Sequence, residues 1–314
     1  MSKFRNALPQ LGDRIFLTDG GLETTLVFLE GIDLPHFAAF TLIGNTDGEK
    51  ALKAYYESYA RIASDAGLGF ILDTATWRAN TDWGARLGYD AAGLDRINRR
   101  AVALIAEVAR AYERPNMPVV LNGVLGPRGD GYVADQAMTA DEARTYHLPQ
   151  VRSFYNAGVD MVSAVTMNYV DEAIGIALAA RELGLPAVIS FTVETDGRLP
   201  TGRELGEAIR QVETATGGSP AYYMINCAHP SHFEHVLSVE ADWVKRLRGI
   251  RANASKRSHA ELDAAPDLDA GDPVELGQQY RAIRTRLSHI NVLGGCCGTD
   301  CRHIDAIRYA CLAA

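Results

Sequence analysis

Short apolar runs rich in Val, Ile, Leu and Phe alternate along this chain with longer stretches in which apolar positions recur every three or four residues. The first pattern belongs to buried strands and the second to amphipathic helices. Strands are therefore expected at residues 14–18, 69–74, 118–123, 159–165, 187–191, 222–226, 249–252 and 290–293. Helices are expected at 47–66, 91–112, 141–157, 171–183, 203–215, 230–247 and 273–287, with a last one beginning near Cys301. Roughly eight strand–helix units in unbroken alternation is the number a closed parallel barrel needs, and a doubly wound open sheet is its structural competitor.

Residues 253–272 interrupt the alternation; rich in Ala, Asp, Ser and Gly and containing Pro266, they read as an extended loop. No domain boundary or internal repeat emerges, so residues 1–314 are expected to form one domain. With 47% apolar and 22% charged residues the chain can bury a large core. Its formal net charge of −8 argues against binding to nucleic acid, which needs a basic face to neutralise phosphates, and leaves small molecules as the expected partners. The basic start, Met-Ser-Lys-Phe-Arg-Asn, precedes no apolar run of signal-peptide length, and no later run reaches the length of a membrane span. The expectation is a cytoplasmic protein without membrane contact.

All five cysteines fall in the last third: Cys227, Cys296, Cys297, Cys301 and Cys311. In a reducing compartment, an odd number clustered in this way suggests metal binding or reactivity rather than a disulfide framework. Cys227 follows the apolar run 222–226, and Cys296-Cys297 follows the run 290–293 within Gly-Gly-Cys-Cys-Gly-Thr. If these runs are the sixth and eighth strands, the three thiols project from the barrel face on which active sites are built. Three sulfur ligands leave one tetrahedral position open, the mark of a catalytic zinc site. Glycines flanking the pair are expected to relieve crowding and permit unusual backbone angles. Cys301 and Cys311 lie in the expected last helix and read as packing residues.

Asn226-Cys227 and Gly294 to Thr299, followed by His303-Ile304, resemble the signature of the homocysteine S-methyltransferase family. Asp19-Gly20-Gly21, Gly126-Pro127 and Ala157-Gly158-Val159-Asp160 are similar to weaker motifs of that family, in the same order. The resemblance implies a (β/α)8 TIM barrel in which Zn2+, held by Cys227, Cys296 and Cys297, binds the thiol of homocysteine and favours its deprotonated form for methylation to methionine. It further implies that Asp19 lies near the substrate amino group. Asn226, beside a zinc ligand, is a candidate to orient substrate, and Trp77, after the second strand, to hold a methylated cation on its ring face. Trp83, Glu194 and His229 are further pocket candidates.

At the end of the fourth strand, Val165 stands where the family commonly has a glutamate that receives the substrate ammonium. A different thiol or a selenol is therefore an alternative acceptor, and a zinc-stabilised protein without turnover an alternative of another class. The expected partners are a small thiol acceptor and a methyl donor, the donor a sulfonium or quaternary ammonium by charge. Oligomeric state is not legible here.

Overall fold

A computed structural model describes residues 2–135 and 137–312. Eight parallel strands close into a barrel in sequence order: β1 (Phe16–Leu17), β2 (Gly69–Asp73), β3 (Val119–Leu125), β4 (Met161–Met167), β5 (Ala187–Phe191), β6 (Tyr222–Asn226), β7 (Leu247–Ala252) and β8 (Val292–Gly295). Closure is made by Phe16 and Leu17 of β1 in register with Val292 and Leu293 of β8. The open-sheet competitor is thereby eliminated.

Seven long helices wrap the barrel: α1 (Thr46–Asp65), α2 (Ala91–Tyr112), α3 (Ala140–Ala157), α4 (Val170–Glu182), α5 (Leu205–Thr216), α6 (Pro273–Arg286) and α7 (Cys301–Leu312). Their starts are fixed by side chains that accept otherwise orphaned backbone N–H groups. Asn45 caps α1, Asp90 caps α2, Asp272 caps α6, and Thr139 with Glu142 forms a reciprocal capping box on α3. The Ala-Gly-Val-Asp motif ends α3 at Gly158, whose φ of 89° only glycine adopts freely. Asp160 then accepts from the backbone of Lys3, Phe4 and Leu121, so the fourth strand starts at Met161, two residues later than expected.

The expected helix at 230–247 does not form. One turn, Pro230–Phe233, is started by His229, which accepts from Ser231 N, and two short 3-10 turns follow. Phe233, Leu237 and Val244 are buried, and their spacing imitates a helical face. Phe233 (φ −131°) and Leu237 (ψ 87°) nonetheless leave helical geometry. Between β6 and β7 the outer layer is therefore the thinnest of the barrel. The loop expected at 253–272 contains a helical turn, His259–Asp263, capped by Ser258 and Glu261.

Strand alternation separates two apolar zones. Leu17, Phe70, Leu72, Tyr223 and Ile225 face the helices, while Phe16, Ile71, Val120, Met161, Tyr222, Met224 and Val292 fill the barrel interior. Continuing the inward register toward the C-terminal ends, the residues turn polar. Asn122 donates to Asp73 (2.7 Å), Ser163 donates to Asn122 (3.1 Å), and Ser190 donates to Asn226 (2.6 Å). An apolar floor thus carries a polar roof, on which the site rests.

Candidate metal and acceptor site

The thiols expected to converge do so. Cys227 directly follows β6, and Cys296 and Cys297 directly follow β8. Sγ of Cys227 lies 2.9 Å from that of Cys296 and 3.5 Å from that of Cys297. A tetrahedral ion with bonds to sulfur of about 2.3 Å would need sulfurs about 3.8 Å apart, so small adjustments suffice for all three to share one ion. Among the described residues this is the one group of three or more His, Cys, Asp or Glu side chains gathered closely enough for that. Cys227 is buried, and the pair is partly accessible from the barrel mouth.

The backbone is bent to achieve this convergence. Cys227 has φ 58° and Thr166, across the mouth on β4, φ 61°, conformations that cost a non-glycine residue about 1–3 kcal/mol each. Surrounding groups hold both in place. The Cys227 carbonyl accepts from Asn253 Nδ2 (3.0 Å) and faces His259 Nε2 (2.7 Å), while Thr166 N donates to Asn226 Oδ1 (2.8 Å). The glycines serve both expected purposes: at Gly294 a Cβ would collide with the Thr18 hydroxyl, so its role is to relieve crowding. Gly298, with φ 78°, does supply an unusual backbone angle.

The thiols share charge unequally. Hydrogen bonding with Cys227 and Cys297 holds the Cys296 thiol well below its ordinary value, and Arg251 helps; Cys227 is pushed up, first through its bond with Cys296, and Cys297 likewise, first through its bond with Cys227. Such a triad has one sulfur ready to meet a cation.

Under the pair sits an ion cluster that the sequence reading missed. Arg251 of β7 is ion-paired with both Asp19, after β1, and Asp73, at the end of β2, and its Nε donates to Gly295 O (3.2 Å). Burial pushes Asp19 up to about 7, against the pull of Arg251 and with the push of Asp73. Arg251 is raised: burial opposes its charge, but the two aspartates outweigh it. An arginine inside an otherwise apolar run was the available signal.

The other expected residues are placed as follows. Asn226 spends its amide on the barrel, accepting from Thr166 N and Ser190 and donating to Thr166 Oγ1 (2.9 Å), with Cys296 Sγ at 4.0 Å. Trp77 lies over Gly126 and Gly131, and Arg78 stands 4.5 Å from its ring centroid, so one face already carries a cation of the protein's own. Val165 packs among Val124, Met161 and Val188 inside the barrel. Trp83 also meets Arg78, at 3.8 Å, and Glu194 meets His259 Nδ1 at 3.0 Å. Burial lowers His229 to about 4. Cys301 is exposed and Cys311 buried, both in α7 and away from the triad.

A group against the thiols, Tyr132, and the ring behind it, His259, were also missed. Tyr132 Oη is 3.2 Å from Cys227 Sγ and 3.8 Å from Cys297 Sγ, and its ring stacks on His259 with centroids 4.0 Å apart. The Ser-x-x-Glu cap at 258–261 was a readable sign of order around His259.

Comparison with known proteins agrees with this architecture. The model of the family described as homocysteine S-methyltransferase matches residues 16–311. The chain belongs to the homocysteine S-methyltransferase family. Among solved structures, it is similar to the homocysteine methyltransferase MmuM from Escherichia coli in its oxidized form, with 22% identity, a TM-score of 0.74, and coverage of 98% of this chain and 99% of that one. The metallated form matches with 21% identity, a TM-score of 0.73, and coverage of 97% and 98%. At that identity the likeness speaks for a shared barrel. Among the described residues no helix is long and apolar enough to cross a membrane.

Proposed function

We propose that this member of the homocysteine S-methyltransferase family transfers a methyl group to the thiol of homocysteine in a zinc-dependent reaction, giving methionine. The observation that carries the reading is the meeting of Cys227, Cys296 and Cys297 at the barrel mouth. The metallated form of the Escherichia coli relative lends further support. When bound by these three sulfurs, zinc would supply the Lewis acidity that keeps a thiol deprotonated at neutral pH.

The chain's own groups do the rest. Arg251 favours the thiolate form of Cys296, and His259 with Asn253 fixes the backbone from which Cys227 projects. The Tyr132 phenol lies against two of the sulfurs, those of Cys227 and Cys297. The acceptor sulfur forms its bond to the methyl carbon as the donor's bond to that carbon breaks, and the pair of electrons in the broken bond leaves with the donor. A sulfonium or quaternary ammonium donor departs without its positive charge. Three thiolates around a divalent ion carry a formal charge of about −1, which favours such a cation.

The test is a metal assay paired with a matrix of acceptors and donors: homocysteine and other thiols against S-methylmethionine, a betaine, S-adenosylmethionine and methylfolate. The expected result is about one zinc per chain and methionine formed with a cationic donor. Cys297→Ala should abolish turnover and lower zinc content while the barrel remains folded. Turnover unaffected by zinc removal, or no methionine with any donor, overturns the proposal.

A further inference from the structure

The acceptor implied by this reading is an amino acid, yet neither expected ammonium contact is free. Val165 replaces the glutamate and is packed in the barrel interior, and Asp19 is held by Arg251. Two other charged side chains border the mouth without an ion-pair partner among the described residues.

Glu23 lies in the helical turn Leu22–Thr24 that follows β1. This turn rests on the cysteine loop: Gly298 N donates to Thr24 Oγ1 (3.2 Å), and Gly21 is so close to the Cys296 carbonyl that no Cβ fits between them. The Glu23 carboxyl is near enough to Cys296, Arg78 and Arg251 to feel their charges, and none of them hydrogen-bonds it.

Arg78 is on the loop after β2. Its guanidinium lies 4.5 Å from the Trp77 ring centroid and 3.8 Å from that of Trp83, and its buried Nε has no hydrogen-bond partner. The adjacent Trp77 Nε1 is likewise buried and unpartnered. Trp83 is anchored by its indole N–H to Gly129 O (3.3 Å). Trp77 packs on Gly131, the neighbour of Tyr132, which reaches Cys227, and Arg78, stacked on the two indoles, is close enough to Tyr132 and Glu23 to feel their charges. The acid nearest to it in that loop, Asp130, already accepts from Tyr132 N and Val133 N.

We propose that Glu23 and Arg78 together form the receptor for the amino-acid head of the acceptor, Glu23 taking its ammonium and Arg78 its carboxylate. A partly desolvated charge that no opposite charge hydrogen-bonds is costly, and a zwitterion laid between the two satisfies both. The electrostatics agree: burial raises Glu23 to about 7 and lowers Arg78, and each would be relieved by an opposite charge. An arginine held between aromatic rings also keeps its donor edge pre-oriented for a planar carboxylate.

This inference rests on the thiol methylation reading, so its test has one arm that does not need turnover. The first arm uses zinc-loaded chain and steady-state kinetics with Glu23→Gln and Arg78→Gln, and with Arg78→Lys in case the glutamine variant fails to fold. KM for homocysteine should rise about tenfold to a hundredfold in each while kcat changes much less. γ-Aminopropanethiol, which lacks the carboxylate, should be indifferent to the Arg78 changes. γ-Mercaptobutyrate, which lacks the ammonium, should be indifferent to Glu23→Gln.

In the second arm, L-α-aminobutyrate, the same head without sulfur, is titrated into the chain while tryptophan fluorescence is recorded. Saturable quenching lost in both variants supports the receptor even if no donor yields methionine. KM changes below about twofold for homocysteine, changes that fall on the donor instead, or quenching equal in the parent and both variants overturn the assignment.

Discussion

Replacing Arg251 by Gln should make this barrel strongly and pH-dependently unstable. Arg251 neutralises Asp19 and Asp73 and donates to Gly295 O, and its side chain and both carboxylates are almost wholly buried. Removing one partner of a buried ion pair leaves an uncompensated charge and typically costs about 3–5 kcal/mol. Here two carboxylates lose the same guanidinium, so the upper part of that range is expected. Asp19 already sits at about 7 with the arginine present, and without the pull of Arg251 it moves higher.

The folded state then holds more protons than the unfolded chain, whose aspartates titrate near about 3.9, so stability falls as pH rises from that value through the raised folded one. Urea unfolding at pH 8 and pH 5 measures this through the midpoint at unchanged slope. The loss should be largest at pH 8 and shrink at pH 5. Adding Asp19→Asn and Asp73→Asn to the variant should recover most of it. A loss under about 1 kcal/mol at pH 8, or one independent of pH, refutes the account of Arg251 as the counterion of the roof.

Two further outcomes follow from groups around the site. His259→Ala removes the contact to the Cys227 carbonyl and the ring stacked on Tyr132, and should weaken zinc binding by about tenfold with the fold intact, measured by competition with a chromophoric chelator. Val165→Glu places a carboxyl in the apolar interior and should cost about 2–4 kcal/mol at pH 8. Burial raises its pKa, so stability is regained as the pH falls toward about 4, which thermal melts at two pH values would show.

The barrel was legible because its signal is local: two-sided apolar runs and capped helices are written within a few residues of themselves. The segment at 230–247 misled because Phe233, Leu237 and Val244 are buried at helical intervals by turns that are not helical. The three cysteines were legible because adjacent thiols between glycines are chemically unusual. Their setting was not, since it is assembled across the barrel. Arg251 meets Asp19 from 232 positions away, and Tyr132 meets Cys227 from 95. Nothing in the sequence marked Glu23 and Arg78, whose setting at the mouth and want of an ion-pair partner among the described residues emerge only in the folded chain.

The thin wall between β6 and β7 gives the cysteine triad a mechanical meaning. Cys227 stands on one side of it and the Cys296-Cys297 pair beyond the other, with 69 positions separating Cys227 from Cys296. One ion bound to all three would tie the ends of that stretch together and close a long loop at small entropic cost to the folded state. Where most of the barrel is buttressed by a long helix, this sector would be laced shut by its own reactive centre. Loss of the metal would then loosen the wall and silence the chemistry in the same event, a coupling that hydrogen exchange in β6 and β7 would register.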